Sequence, residues 1–213
     1  MSFRSEFVAS PESFMATNIV VPQFRGGKGP PSESRPIVIT ISEWTQKKCS
    51  KSGGKVYFLN LDTAGVSRDE KLPIYWLAYS QGNFTQGVLN GQSLYMFTAQ
   101  MDGCTLGFGS QGGDGGCLVS HANKASAGKD GPDAQRDAQR GQLQSRFGGA
   151  SFSMVEPSAY MGTTHGGNKF KATNFGKNVN GTWQFFSHRY MDSGSAGGVM
   201  LHGGVQPAVS IPG

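Results

Sequence analysis

The stretch LYMFTAQMDGCTLGFGSQGGDGGCLVSHA, residues 94–122, decides the reading of the fold. Two apolar runs, CTLGFG (104–109) and GCLVSHA (116–122), flank a loop dense in glycine, and a third, SLYMFTAQ (93–100), precedes them. Short runs rich in β-branched and aromatic residues, bounded by Gly, Asn, Asp or Ser, read as strands. Glycine supplies the turn geometry between them, because it alone takes positive φ at no steric cost. The expected structure is an antiparallel hairpin. Cys104 starts its first strand and His121 ends its second, so the pairing brings a thiol and an imidazole together.

Outward from this hairpin the same pattern recurs. PIVITIS (36–42), KVYFLNL (55–61), IYWLAYS (74–80), GASFSMVE (149–156), TWQFFSHRY (182–190), GGVMLH (197–202) and QPAVSIP (206–212) all read as strands. Several are apolar nearly throughout, which fits strands covered on both faces. Two segments read as helices. SEWTQKKCSK (42–51) has Ser42 as an N-cap and lysines near its end, and DAQRDAQRGQLQSRF (133–147) carries a thin stripe of Ala134, Ala138, Leu143 and Phe147. The expected class is α+β, mostly β: a β-sandwich of mixed strands flanked by a few helices. The 213 residues are expected to form one domain, 1–213, whose first 35 residues are loop-rich.

Composition narrows the function. Glycine makes up 32 of 213 residues and the net charge is +5. The basic residues are scattered and do not alternate with aromatics, so no obligatory nucleic-acid partner is expected. No apolar run approaches the ~18 residues of a membrane span. The N-terminal apolar runs are interrupted by Glu6, Pro11 and Glu12, so no cleavable signal peptide is expected. Three irregularly spaced cysteines make no disulfide framework. His121, His165, His188 and His202 share no metal-binding spacing. Neither GSQGGDGG (109–116) nor RFGG (146–149) has the lysine and hydroxyl residue of a phosphate loop. GSAGG (194–198) has the wrong order for a serine nucleophile elbow. No metal and no cofactor are expected.

Cys104 and His121 remain. A cysteine nucleophile needs a base to take its proton. The base in turn needs an oxygen to hold its tautomer, which Thr98, six positions before the cysteine, can offer through its hydroxyl or its backbone carbonyl. The residues alone leave two other readings open: a buried packing cysteine, and a Cys104–Cys117 disulfide across the hairpin. Cys49 and Cys117 read as structural.

A threonine, then a glycine–cysteine pair closing six residues on, then a histidine seventeen further, resembles the glutamine deamidases of the CheD type. It is also similar to the related toxins, the cytotoxic necrotizing factor catalytic domain and the Burkholderia lethal factor. The motif stands here as Asp102-Gly103-Cys104, with aspartate in place of the family's serine. The resemblance implies a sandwich flanked by helices, with Cys104 as nucleophile, His121 as base and Thr98 orienting it. It implies a thiolate–imidazolium pair, an oxyanion held by backbone N–H groups around Cys104 with Gly103 and Thr105 as loop support, and a thioester that water hydrolyses to glutamate. It further implies a monomeric toxin or effector, secreted or injected, acting on a protein of the host cytosol such as a Rho-type GTPase or the translation initiation helicase. Asp102 beside the thiol would oppose its ionisation. Two rivals stand beside this reading. One is a non-enzymatic sandwich that binds ligands through Trp44, Trp76 or Trp183. The other is a Cys–His transglutaminase or protease.

Overall fold

The computed structural model describes residues 3–24, 29–61, 65–110, 116–123, 132–148, 151–162, 168–193 and 198–212, without the side chains of 132 and 209–212. The chain is mostly β. One sheet of nine strands runs in the order β1 (Ile19–Phe24), β4 (Val56–Asn60), β2 (Arg35–Glu43), β5 (Leu72–Leu77), β7 (Tyr95–Thr98), β11 (Lys171–Val179), β12 (Thr182–Asp192), β13 (Val199–Pro212) and β3 (Lys48–Cys49). A second sheet runs β10 (Phe152–Val155), β8 (Thr105–Ser110), β9 (Cys117–Ala122) and β6 (Phe84–Leu89). The β1–β4, β5–β7 and β13–β3 pairs are parallel and the others antiparallel.

Alternation along β5 shows how the layers form. Ile74 and Trp76 turn to one face of the large sheet, and Tyr75 and Leu77 to the other. On the first face they meet Phe7 of α1 (Phe3–Ala9) and Phe14 and Met15 of α2 (Pro11–Thr17). On the second face they meet Leu106, Phe108 and Val119 of the small sheet. Phe108 stacks on Phe185 of β12 with ring centres 4.3 Å apart, which pins the two sheets together. The outer face of the small sheet is covered by α3 (Pro132–Phe147), through Leu143 and Phe147. The ends of the large sheet approach each other: Ile19, Val21 and Val56 from one end share a cluster with Tyr190 and Met200 from the other. The sheet is therefore nearly closed.

The hairpin of β8 and β9 forms as the sequence predicts, and so does the helix over 133–147. Two expectations are corrected. Residues 42–51 are not a helix: they end β2, turn, and form β3. The Trp44 N–H donates to Val56 O at 2.7 Å, and the Lys48 N–H to Gly198 O at 3.1 Å. Trp44 and Cys49 pack beside Tyr190, and Lys47 pairs with Asp192. Partners across the sheet thus outweigh a modest helix propensity. The first 35 residues are not loop-rich either, because they hold α1, α2 and β1. Ser10 caps α2 by accepting from the Ser13 N–H at 3.3 Å, with Pro11 in the first turn.

Two glycines of β8 serve close approach, not turn geometry. A methyl group at Gly107 would lie 2.6 Å from Leu143 Cδ2, and one at Gly109 would lie 2.8 Å from both Phe147 Cε1 and Ser151 O. The backbone carbonyl cannot give way as a flexible side chain can. Gly109→Ala is therefore expected to cost about 1–3 kcal/mol of stability, read as a lower urea midpoint. An unchanged midpoint would mean that α3 does not press on this strand.

Candidate functional site

The chain enters β8 through a tightly held turn. Gly103 has φ of 134°, a backbone region that disfavours side chains. Its N–H donates to Tyr160 Oη at 2.9 Å, and the Tyr160 hydroxyl donates to Cys104 O at 2.7 Å. Its carbonyl accepts from Gln135 Nε2 at 3.0 Å and from Gln139 Nε2 at 2.9 Å, both on α3. Gln139 is fully buried and accepts from the Thr105 hydroxyl at 2.5 Å. The Gly103 N–H and carbonyl, the Cys104 carbonyl and the Thr105 hydroxyl are thus satisfied by Tyr160 and two glutamines of α3. The turn is fixed before any ligand arrives.

Register then sets the neighbours of the thiol. Thr105 pairs with Ala122 and Leu106 with His121, so Cys104 comes level with Asn123. Side chains two apart share a face. Cys104 and Leu106 therefore face the large sheet, as do His121 and Asn123. Cys104 and His121 are diagonal neighbours across the pair, and no hydrogen bond joins Sγ to the imidazole. Asn123 Nδ2 donates to Cys104 Sγ at 3.3 Å and to the Tyr79 hydroxyl at 3.0 Å. Its Oδ1 accepts from the Gly82 N–H at 3.2 Å, which fixes which way the amide points.

His121 is oriented from across the sandwich. The Thr98 hydroxyl donates its one proton to Leu77 O at 3.0 Å. At the 2.7 Å contact with His121 it must therefore accept, and Nδ1 carries the hydrogen. In the neutral ring Nε2 is then a bare acceptor. It is buried and has no hydrogen-bond partner. Tyr79 lies edge-on against the ring at 5.3 Å.

The charge state differs from the thiolate–imidazolium pair expected from sequence. Burial, and then the charge of Asp102, push the Cys104 thiol up to about 12, with hydrogen bonds from Asn123 and the Asp102 backbone working the other way. Burial pulls His121 down to about 4. At neutral pH the resting pair is a thiol and a neutral imidazole.

Gly103 and Thr105 hold the turn. The Gly103 N–H is engaged by Tyr160, and the Thr105 side chain points to α3. The Asn123 amide and the Asp102 backbone face the thiol, and the Tyr79 hydroxyl adjoins the Asn123 amide. Sequence reading missed Asn123 and Tyr79, together with Tyr160 and the two glutamines of α3. The hairpin register extended by one residue beyond Ala122 identifies Asn123; nothing local in sequence signals Tyr79 or Tyr160.

A cleft of about 520 Å³ opens over the thiol, lined by Tyr79, Gln81, Asp102, Asn123, Gln135 and Lys169. A larger cavity of about 810 Å³ lies between α1, α2 and the β2–β4 edge, with Glu6, Glu43, Lys55 and Tyr57 in its walls and neither a thiol nor an imidazole. Cys104 lines the smaller one, and His121 lies buried behind it, outside its lining. All three cysteines are free, and Cys117 sits level with Ser110 at the far end of the hairpin, so no Cys104–Cys117 disulfide forms. Among the described residues no three His, Cys, Asp or Glu side chains cluster as metal ligands; His165 lies outside them. Trp76 and Trp183 are buried and Trp44 is half-buried, which leaves the binding-module rival only a partly exposed Trp44 for stacking. Compared with known protein families and with curated proteins, the chain matches none.

Proposed function

We propose that this protein is a cysteine-dependent glutamine deamidase acting on a protein substrate. The observation that carries this reading is the bare, buried Nε2 of His121, fixed in that tautomer by Thr98 on the same sheet face as Cys104. A buried acceptor without a partner costs about 1–3 kcal/mol, and a general base needs one. The resemblance of Asp102-Gly103-Cys104, His121 and Thr98 to the CheD and necrotizing-factor deamidases supports the same reading, and the layered sheets flanked by helices suit that fold. The further reading, an effector acting on a host cytosolic protein, rests on the resemblance alone. Among the described residues no helix is long and apolar enough to cross a membrane.

The reaction follows from the neutral pair. A glutamine carboxamide enters the 520 Å³ cleft. Sγ attacks its carbonyl carbon as the thiol proton passes to His121 Nε2, and the carbonyl electron pair moves onto oxygen. Concerted transfer is required because a thiol near 12 and an imidazole near 4 lie roughly eight pH units apart, or about 11 kcal/mol for a free ion pair. The imidazolium formed during attack is held by Thr98 at Nδ1. It returns its proton to the departing nitrogen, and ammonia leaves. Water, deprotonated by His121, adds to the thioester, and glutamate and the thiol are released.

The test is a peptide mass comparison of eukaryotic lysate with and without the protein, reading conversion of glutamine to glutamate. No converted site in lysate, nor in bacterial chemoreceptors, would defeat the proposal. Adding a primary amine separates hydrolysis from transamidation, since an amine acceptor would leave a substituted amide.

Thr98→Val should lower kcat by roughly 10²-fold with KM little changed, because the imidazole loses the acceptor that sets its tautomer. Thr98→Ser keeps a hydroxyl at the site and should restore most of the rate. Equal losses in both variants would mean that Thr98 acts through packing.

A further inference from the structure

We infer that Asn123 and Tyr79 supply side-chain donors to the oxyanion hole of this site. The inference rests on the deamidase reading above. At the turn the Gly103 N–H is bonded to Tyr160 Oη at 2.9 Å and the Thr105 hydroxyl is turned to Gln139, while the Asp102 backbone bonds the sulfur. The Asn123 amide is the side-chain donor beside the sulfur. Its Nδ2 lies 3.3 Å from Sγ and 3.0 Å from the Tyr79 hydroxyl. Its orientation is set by the Gly82 N–H on Oδ1 and by its own N–H on Asn83 O at 2.9 Å, so the amide is aimed before substrate binds. Tyr79 Oη accepts from Asn123 and keeps its own proton to donate. Both residues line the cleft with Cys104.

When sulfur adds to the carboxamide, the new negative charge appears on an oxygen one bond from the carbon that Sγ touches. The Nδ2–H that rests on Sγ and the Tyr79 O–H beside it are side-chain donors within reach of that oxygen. Donors placed where charge develops stabilise the transition state more than the ground state. Asn123 therefore serves twice: it holds the sulfur as it loses its proton, then the oxygen as it gains charge. The edge-on packing of Tyr79 against His121 at 5.3 Å keeps the second donor fixed relative to the base.

The experiment follows Cys104 alkylation by iodoacetamide in the full-length protein from pH 6 to 10, quantified by peptide mass spectrometry, beside turnover on a glutamine site that the wild type converts. Asn123→Ala should alkylate roughly 10-fold more slowly below pH 9, because the thiolate loses its donor. A purely structural asparagine predicts the opposite, since truncating it uncovers a thiol that is 1% exposed. Tyr79→Phe, which leaves the sulfur contact in place, should alkylate as the wild type does. On turnover, Asn123→Ala, Asn123→Asp and Tyr79→Phe should each lose roughly 10²–10³-fold in kcat with KM nearly unchanged. Asn123→Asp keeps the Oδ1 acceptor for Gly82 and guards against loss of fold as the cause. Alkylation of Asn123→Ala that is unchanged or faster, or wild-type kcat in Tyr79→Phe, overturns the inference. Absence of any conversion by the wild type defeats the deamidase reading and the oxyanion role with it, while the alkylation profile still decides whether Asn123 is a donor to the sulfur.

Discussion

Cys104→Ser is expected to lower deamidation by at least roughly 10³-fold while the unfolding midpoint stays close to that of the wild type. The two side chains are near in size. Serine at this position keeps the turn fixed by Gly103, Tyr160 and Gln139, and it offers Asn123 Nδ2 an oxygen in place of sulfur. The chemistry does not survive the exchange. With burial pulling His121 down to about 4, the imidazole is a weak base, and even the thiol gives up its proton only as the carbon–sulfur bond forms. An alcohol is far less acidic than a thiol and forms a poorer leaving group when water attacks the acyl-enzyme. His121→Ala should cost a comparable factor. The double variant should cost little more than either alone, because the two residues act as one unit. Cys49→Ser should be nearly silent: Cys49 lies on β3 with its thiol near Thr17 O at 3.7 Å, far along the chain from the cleft residues. Conversion of the target glutamine by Cys104→Ser at wild-type rate would remove Cys104 from the mechanism.

The hairpin was legible because two rules agree there: apolar runs of strand length, and glycine between them. The diagonal placement of Cys104 and His121 follows from period-two alternation once the register is set. β1, β6 and β11 were not legible. β6 is FTQGVL, with a polar half and an inner glycine, and it forms because β9 offers a partner along its whole length. Gly87 is accepted there because Tyr75 fills the space a side chain would need, 2.3 Å from the missing Cβ. Helix α3 was found for an incomplete reason. Its buried stripe is Gln139, Leu143 and Phe147, one residue every four, and Ala134 and Ala138 stay half-exposed. Composition scales count glutamine as polar and place it outside. Here a buried glutamine satisfies Thr105 and the Gly103 carbonyl together, which no pattern along the helix can announce. The same limit explains Tyr160 and Tyr79. Each is a single aromatic residue, distant in sequence, whose hydroxyl meets the site only through the packing of layers.

Acid should destabilise the fold steeply, and the cause lies in the same burial that prepares the base. His121 is pulled down to about 4 by burial, and His188 to about 3 by burial and then by the neighbouring His202, whose ring centre is 4.8 Å away. In the unfolded chain both return to about 6.5. Between roughly pH 4 and 6.5 the unfolded state therefore binds more protons than the native one, and stability falls as pH falls. Near pH 5 two such groups give a slope approaching ~2.7 kcal/mol per pH unit. From pH 7 to 5 the loss sums to roughly 4 kcal/mol, against a total of ~5–15 kcal/mol for a typical domain. His202 is half-buried and its pKa is lowered too, by burial first, so it adds in the same direction. Neither ring nitrogen of His188 has a partner, so a proton there finds no acceptor in the native packing. Urea midpoints measured at pH 7, 6 and 5 check this, with His188→Leu expected to remove about half of the slope. His121→Asn should remove much of the rest. A profile flat to pH 5 would mean that both imidazoles are hydrated in the native state, and a hydrated His121 would lose the fixed, unpartnered Nε2 on which the deamidase reading depends.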